Sequence, residues 1–140
     1  IGMAYPSAIS IVTSCVQAAL MVGYPEASIN LAQAVILLAS APKSNAAFMA
    51  YQKAKEDLRS RKIDDVPDHL KDSHYKGAKE MGLGRDYKYP HAYGGYVQQQ
   101  YLPDNLYQEK VKYYEPTANG SEGSFKKFLE SLEEKYGRNH

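Results

Sequence analysis

Four histidines, one cysteine and a spread of lysines and arginines are the side chains through which this sequence could do chemistry. His69 and His74 lie five positions apart, close to Asp65, Asp68 and Asp72, while His91 and His140 stand alone. A zinc site needs three or four ligands held by a rigid second layer of partners. The spacing supplies two histidines and no defined third ligand, so hydrogen-bonded loop histidines are expected and no metal. A hydrolase built on His69 or His74 with a nearby aspartate would need a nucleophile and oxyanion donors, and neither is identifiable. Cys15 is the single cysteine, which excludes an intramolecular disulfide and a cysteine-based zinc site. It lies in the most apolar stretch, where a thiol is unreactive and packs as a small hydrophobe. A reducing, intracellular and cytoplasmic setting fits this usage. No G-x-x-x-x-G-K-[ST] run occurs, so no Walker A phosphate cradle is encoded here. Gly82-Leu83-Gly84 lacks the third glycine of a dinucleotide loop and reads as a turn. No catalytic, cofactor-binding or metal residue is therefore expected.

The one suggestive constellation is basic. Residues 43–88 carry eleven Lys/Arg against eight Asp/Glu, with Tyr75, Tyr87 and Tyr89 interleaved. Cations with stacking aromatics hold single-stranded nucleic acid without reading its sequence. On this reading Lys43, Lys53, Lys55, Arg59, Arg61, Lys62, Lys76, Lys79 and Lys88 are the candidate DNA contacts, with Lys71 and Arg85 in the same stretch. The whole chain has a formal net charge of +1, so any such case rests on local clustering. The competing reading is a solvated helix face balanced by its own acids. Both stand at this level, and a stand-alone nucleic-acid-binding helical domain is the alternative function.

The elements that must carry these residues fall into three zones. Residues 1–42 contain one charged side chain, Glu26. A helix is expected over about 6–22, with Pro6 at its first position and Gly23 closing it. Ile9, Val12, Val16 and Ala19 make one apolar stripe, and Ile11, Cys15, Ala18 and Val22 another. A second helix, about 25–41, starts at Pro25-Glu26 and stops before Pro42. Its expected buried stripe is Ile29, Ala32, Val35, Ile36 and Ala39, with Leu31, Leu37 and Leu38 on further faces. A third helix, about 44–61, is capped by Ser44 or Asn45, and Ala47, Tyr51, Ala54 and Leu58 fall on one expected inner face. A short helix is expected at 74–81. Nine of the thirteen tyrosines lie between Tyr75 and Tyr114. Residues 83–119 show no helical period, although Lys110–Tyr114 alternates enough for a short strand. A last amphipathic helix, about 121–136, carries Phe125, Phe128, Leu129, Leu132 and Tyr136 on one side. The fold class is mainly α: a helical domain over 1–82, then a Tyr/Pro/Gly-rich extension over 83–140 that packs on it and ends in that helix.

A helix that is apolar nearly all round is covered nearly all round. The first two helices have more apolar surface than one small domain normally hides. Self-association would use it, since an obligate interface resembles a core cut in half. Ile9, Ile11, Val12, Cys15, Val22, Ile36, Leu37 and Leu38 are the candidate interface residues. The competing reading is that residues 43–140 cover both helices within one chain. The longest apolar stretch, Ala8 to Val22, is interrupted by Ser10, Thr13, Ser14 and Gln17 and falls short of the roughly 20 residues a membrane span needs.

An ordered series of short motifs then resembles a known family. Ile1-Gly2-Met3-Ala4-Tyr5-Pro6-Ser7-Ala8 looks like the entry to the C-terminal part of the RarA/MgsA family, the replication-associated recombination proteins A. Leu31-Ala32-Gln33-Ala34-Val35, Leu38-Ala39 and Ala41-Pro42-Lys43-Ser44-Asn45 follow. Then come Val66-Pro67-Asp68-His69-Leu70, His74-Tyr75-Lys76-Gly77-Ala78-Lys79, Gly82-Leu83-Gly84 and Tyr87-Lys88-Tyr89-Pro90-His91. Gln100-Tyr101-Leu102-Pro103, Tyr113-Tyr114-Glu115-Pro116 and Gly120-Ser121-Glu122-Gly123 complete the series. The likeness runs the length of the chain and extends more distantly to the Werner-helicase-interacting proteins. It implies a clamp-loader-type helical oligomerisation domain that forms homotetramers. It also implies an AAA+ ATPase domain preceding this region, and the abrupt start at Ile1 fits a piece of something longer. ATP and magnesium would belong to that domain, and no ATPase residue has a counterpart here. Implied partners are further copies of the chain, DNA ends or single-strand/duplex junctions, and single-stranded-DNA-binding protein, in a nucleoid-associated setting without a membrane.

Overall fold

The computed structural model describes residues 1–72, 82 and 84–137. Helix α1 runs Ala8–Val22, α2 Ala27–Ser40, α3 Ala46–Ser60, α4 Asp104–Gln108 and α5 Glu122–Tyr136. Short 3-10 turns occur at Gly2–Ala4, Asp68–Leu70 and Pro90–Tyr93. Among the described residues there is no strand, so the fold is mainly α. Residues 111–114 lie outside any helix or strand and do not form the short strand that the alternation at Lys110–Tyr114 allowed. Lys110 itself takes a left-handed φ of 56° and ends α4, with Val111 N–H donating back to Leu106 O at 3.0 Å. A chain turning in this way has no extended neighbour to pair with. The expected helix at 74–81 lies outside the described residues.

Two compact units make up the chain: Ile1–Lys53 with Tyr113–Phe128, and Ala54–Lys112 with Leu129–His140. Each is assembled from two separate stretches, and a boundary at 82/83 falls inside the second. In the first unit Gly23 ends α1, its N–H returning to Ala19 O. α2 stops at Ala41, which is extended at φ −67°, ψ 146°, as a residue before proline is driven to be. Ser44 Oγ then accepts the Ala46 N–H at 3.1 Å at the start of α3. α1 packs along α2.

One feature closes the first unit. Ser44 N–H donates to Ile1 O at 3.1 Å and Ser121 N–H to Ala4 O at 2.8 Å. Asn119 Nδ2 donates to Lys43 O at 2.9 Å. At this crossing Gly120 has φ +52°, and a Cβ on it would lie 2.3 Å from Ala4 O and 2.6 Å from Pro42 Cγ. Only glycine fits that approach.

Glu122 stands beside this crossing, fully buried at the start of α5. Tyr114 Oη donates to one of its oxygens at 2.7 Å and Thr117 Oγ1 to the other at 2.5 Å. Burial works to raise the Glu122 pKa, but hydrogen bonds from Ser44, Thr117 and Tyr114 bring it below the usual carboxylate value. Burial and then the carboxylate push the Tyr114 phenol up to about 12.

The second unit is held by polar ties around loops. Asn105 N–H donates to Asp64 Oδ2 at 3.1 Å, and Asn105 Nδ2 to Lys62 O at 3.0 Å. Gln98 Nε2 reaches Tyr136 O at 3.0 Å. Among its described residues the buried apolar side chains are Val97, Leu106 and Leu132.

Candidate functional site

The sizes of the buried side chains decide how the first unit presents its surface. Its buried apolar residues are Ala4, Ala8, Cys15, Ala19, Ala27, Ala34 and Ala46, all small. Ala8, Cys15 and Ala19 stand at i, i+7 and i+11 on α1, and Ala27 and Ala34 at i and i+7 on α2. Such spacing places each set on one helix face. Small residues let two helices approach closely, and the bulkier side chains between them are turned elsewhere. They face solvent in the protomer: Ile9 is 75% exposed, Leu20 80%, Met21 87%, Ile29 71% and Ile36 64%. Val16, Val22, Val35 and Leu38 are exposed as well. Beside this surface lies a groove of about 410 Å³ lined by Ile1, Tyr5, Pro6, Ile9, Val12 and Leu38.

Several expectations change here. The apolar stripe assigned to the inside of α2, with Ile29, Val35 and Ile36, is exposed; the covered face is the alanine face. Among the interface candidates Ile9, Val22, Ile36 and Leu38 are exposed, and Ile11, Val12 and Leu37 are half-buried. Cys15 differs from the other candidates in being covered within its own chain, at 7% exposure. Leu20 and Met21 are exposed too, and neither belongs to the stripes read from the sequence. On α3, Ala47, Tyr51 and Leu58 are exposed, Ala54 is half-buried and Ala46 is buried, so three of the four residues of the expected inner face turn outward. On α5, Leu132 is buried, whereas Phe125 and Phe128 are exposed.

The basic candidates meet varied partners. Lys53 pairs with Glu115, and Arg61 with both Asp57, at 2.9 Å, and Glu109. Lys43 Nζ lies against the Ala39 and Ala41 carbonyls at the end of α2, a favourable place for a cation. Lys71 pairs with Asp68 at 2.7 Å. Lys55 is half-buried, and Arg59 and Lys62 are exposed. Lys88 Nζ is 3.5 Å from Gln98 O. Lys76 and Lys79 lie outside the described residues. His69 Nε2 sits 2.8 Å from Gln100 O, so that nitrogen carries a proton and secures a loop. Among the described residues no group of three His, Cys, Asp or Glu could hold a metal ion, and no helix is long and apolar enough to cross a membrane.

Residues 1–133 match the family described as MgsA AAA+ ATPase C terminal. The chain belongs to this family. The resemblance carried by the ordered motifs is thereby borne out, and the MgsA C-terminal region can be compared with curated relatives. Replication-associated recombination protein A of Bacillus subtilis (strain 168) is 50% identical over 99% of this chain and 31% of its own length. The protein of that name from Escherichia coli (strain K12) is 38% identical over 96% of this chain and 30% of its own length. ATPase WRNIP1 of Dictyostelium discoideum is 36% identical over 84% of this chain and 14% of its own length. The chain thus spans less than a third of the length of these relatives. It corresponds to the C-terminal region of the MgsA AAA+ ATPases.

Proposed function

We propose that this domain is the assembly module of such an ATPase, joining copies of itself through the outward faces of α1 and α2, most simply as a homotetramer. One observation carries the reading: the buried apolar side chains of the first unit are all small, while Ile9, Leu20, Ile29, Val35 and Ile36 are left in water. Covering one such side chain contributes about 1.5–3 kcal/mol, against about 0–1 kcal/mol for a surface ion pair. A few of them set side by side outweigh the polar contacts around them. Scattered apolar side chains are ordinary on a protein surface, whereas a contiguous apolar face marks an interaction site. ATP hydrolysis belongs, on this reading, to the rest of the full-length protein, and this domain holds the subunits in register for it. Work on recombining DNA gives the assembly a nucleoid-associated setting.

Sedimentation velocity across the micromolar range tests the proposal. The wild-type chain is expected to sediment as a multiple of its 15.6 kDa mass. Leu20→Glu and Ile36→Glu should shift it to smaller species with unchanged helix content. A wild-type chain that stays monomeric throughout that range would sink the reading.

A further inference from the structure

The sequence holds five asparagines, Asn30, Asn45, Asn105, Asn119 and Asn139, and of these Asn119 alone is followed by glycine. That pair is chemically fragile. An asparagine amide is open to attack by the backbone nitrogen of the next residue, and a glycine there has no Cβ to obstruct the approach. The fold places the pair at the crossing that closes the first unit. Both residues are exposed, and each has a fixed task. Asn119 Nδ2 donates to Lys43 O at 2.9 Å, and its backbone N–H to Thr117 Oγ1 at 3.2 Å. Its carbonyl accepts the Glu122 N–H at 3.1 Å. Gly120 passes so close to Ala4 O and Pro42 that no Cβ fits, and Ser121 N–H holds Ala4 O at 2.8 Å. Neither member of the fragile pair can be exchanged without loss of a tie across the crossing.

We propose that Asn119-Gly120 is a site of spontaneous covalent modification by deamidation, paced by opening of this crossing, and that the conversion unlocks the first unit. Gly120 N attacks Asn119 Cγ and bonds to it as the Cγ–Nδ2 bond breaks. Nδ2 leaves as ammonia, taking up the proton from Gly120 N. Water then opens the five-membered imide. Attack at its side-chain carbonyl gives aspartate; attack at its main-chain carbonyl gives isoaspartate, in which the main chain runs through the former side chain. One water is consumed and one ammonia released. In the closed crossing the bond to Lys43 O holds the amide, and the bonds at Asn119 N–H and C=O fix the backbone around it. Local opening releases these groups and sets the rate. Conversion then prevents full reclosure. Aspartate turns an acceptor towards Lys43 O where a donor stood, and isoaspartate adds a methylene to the main chain and draws Ser121 N–H away from Ala4 O. The segment so released begins with Ile1 and Gly2, which line the groove beside α1. The site lies within one unit and does not rest on the assembly reading.

The test incubates the chain at mildly alkaline pH, folded and, in parallel, in concentrated guanidinium chloride. Trypsin cuts after Lys112 and Lys126, so Asn119 travels in the peptide 113–126, whose change from amide to acid is read by mass spectrometry. Enzymatic methylation identifies the isoaspartate. Conversion should accumulate at Asn119 ahead of the other four asparagines, and about tenfold or more slowly in the folded chain than in denaturant. Asn119→Gln, with a side chain too long to close the same ring, should stay unconverted. The product carries one more negative charge, so ion exchange separates it from the unconverted chain, and its Tm should be lower by about 4 °C. Working on the converted natural chain avoids reliance on a variant that does not fold. Three results would overturn the proposal: no conversion at Asn119 in the folded chain, equal rates in the folded and denatured chains, or a converted chain with unchanged Tm. The first would leave no modification site, the second would show that the crossing does not pace it, and the third that conversion unlocks nothing.

Discussion

Glu122 shows how much one side chain can hold in place. It is fully buried and takes hydroxyl donors from Tyr114 and Thr117. Replacing it with alanine leaves those donors without their acceptor in a covered site, so Glu122→Ala should lower the unfolding free energy by about 2–4 kcal/mol in urea titrations. The pH dependence has a definite sign. The folded pKa lies below the ordinary 4.5, so the carboxylate's contribution is complete above that value and is lost as pH falls through the lower folded value. Wild type should therefore lose more stability than Glu122→Gln between about pH 6 and pH 3; parallel curves would contradict this. Gly120 supplies the steric counterpart. Gly120→Ala meets Ala4 O and Pro42 Cγ in a left-handed conformation and should cost about 3 kcal/mol by the same titrations. At Gly23 a methyl group would meet nothing within 4 Å, although φ is +77°. Gly23→Ala should cost only the backbone term of that positive-φ extended conformation, about 1–3 kcal/mol.

At the scale of elements, the α1–α2 pair separates two properties that an apolar helix usually combines. Its inner face makes the fold and its outer faces are available to a partner. Ala34→Leu overfills the inner face and should destabilise the protomer by about 2 kcal/mol. Ile36→Ala, two positions along on the outer face, should change protomer stability by no more than about 0.5 kcal/mol while weakening association. Urea titration combined with sedimentation distinguishes these outcomes. If Ile36→Ala destabilised a dilute, dissociated sample as strongly as Ala34→Leu, the assignment of faces would be wrong.

For the whole molecule, the proposed association would tie stability to concentration. A partner that binds only the folded state raises apparent stability by mass action. Differential scanning of the chain at two concentrations a decade apart should move Tm up by roughly 3 °C at the higher one. A constant Tm would argue that the outer faces stay in water. The electrostatics point the same way: with a formal net charge of +1, long-range repulsion between copies is slight.

Local chemistry made much of this protein legible in its sequence. Pro6, Gly23, Pro42 and Ser44 mark helix ends because each constrains its own backbone or completes its neighbour's hydrogen bonds. The near absence of charge over residues 1–42 is plain in the sequence, and the ordered motifs named the family. Tertiary structure alone decided which apolar face turns inward. Periodicity groups residues on a face without saying which face wins, and here Ala8, Cys15, Ala19, Ala27 and Ala34 are covered while Ile29 and Ile36 stay exposed. It alone also paired Lys53 with Glu115 and Arg61 with Glu109, partners 62 and 48 positions away. No local pattern could report those pairings, because they exist only once distant segments of chain have been brought side by side.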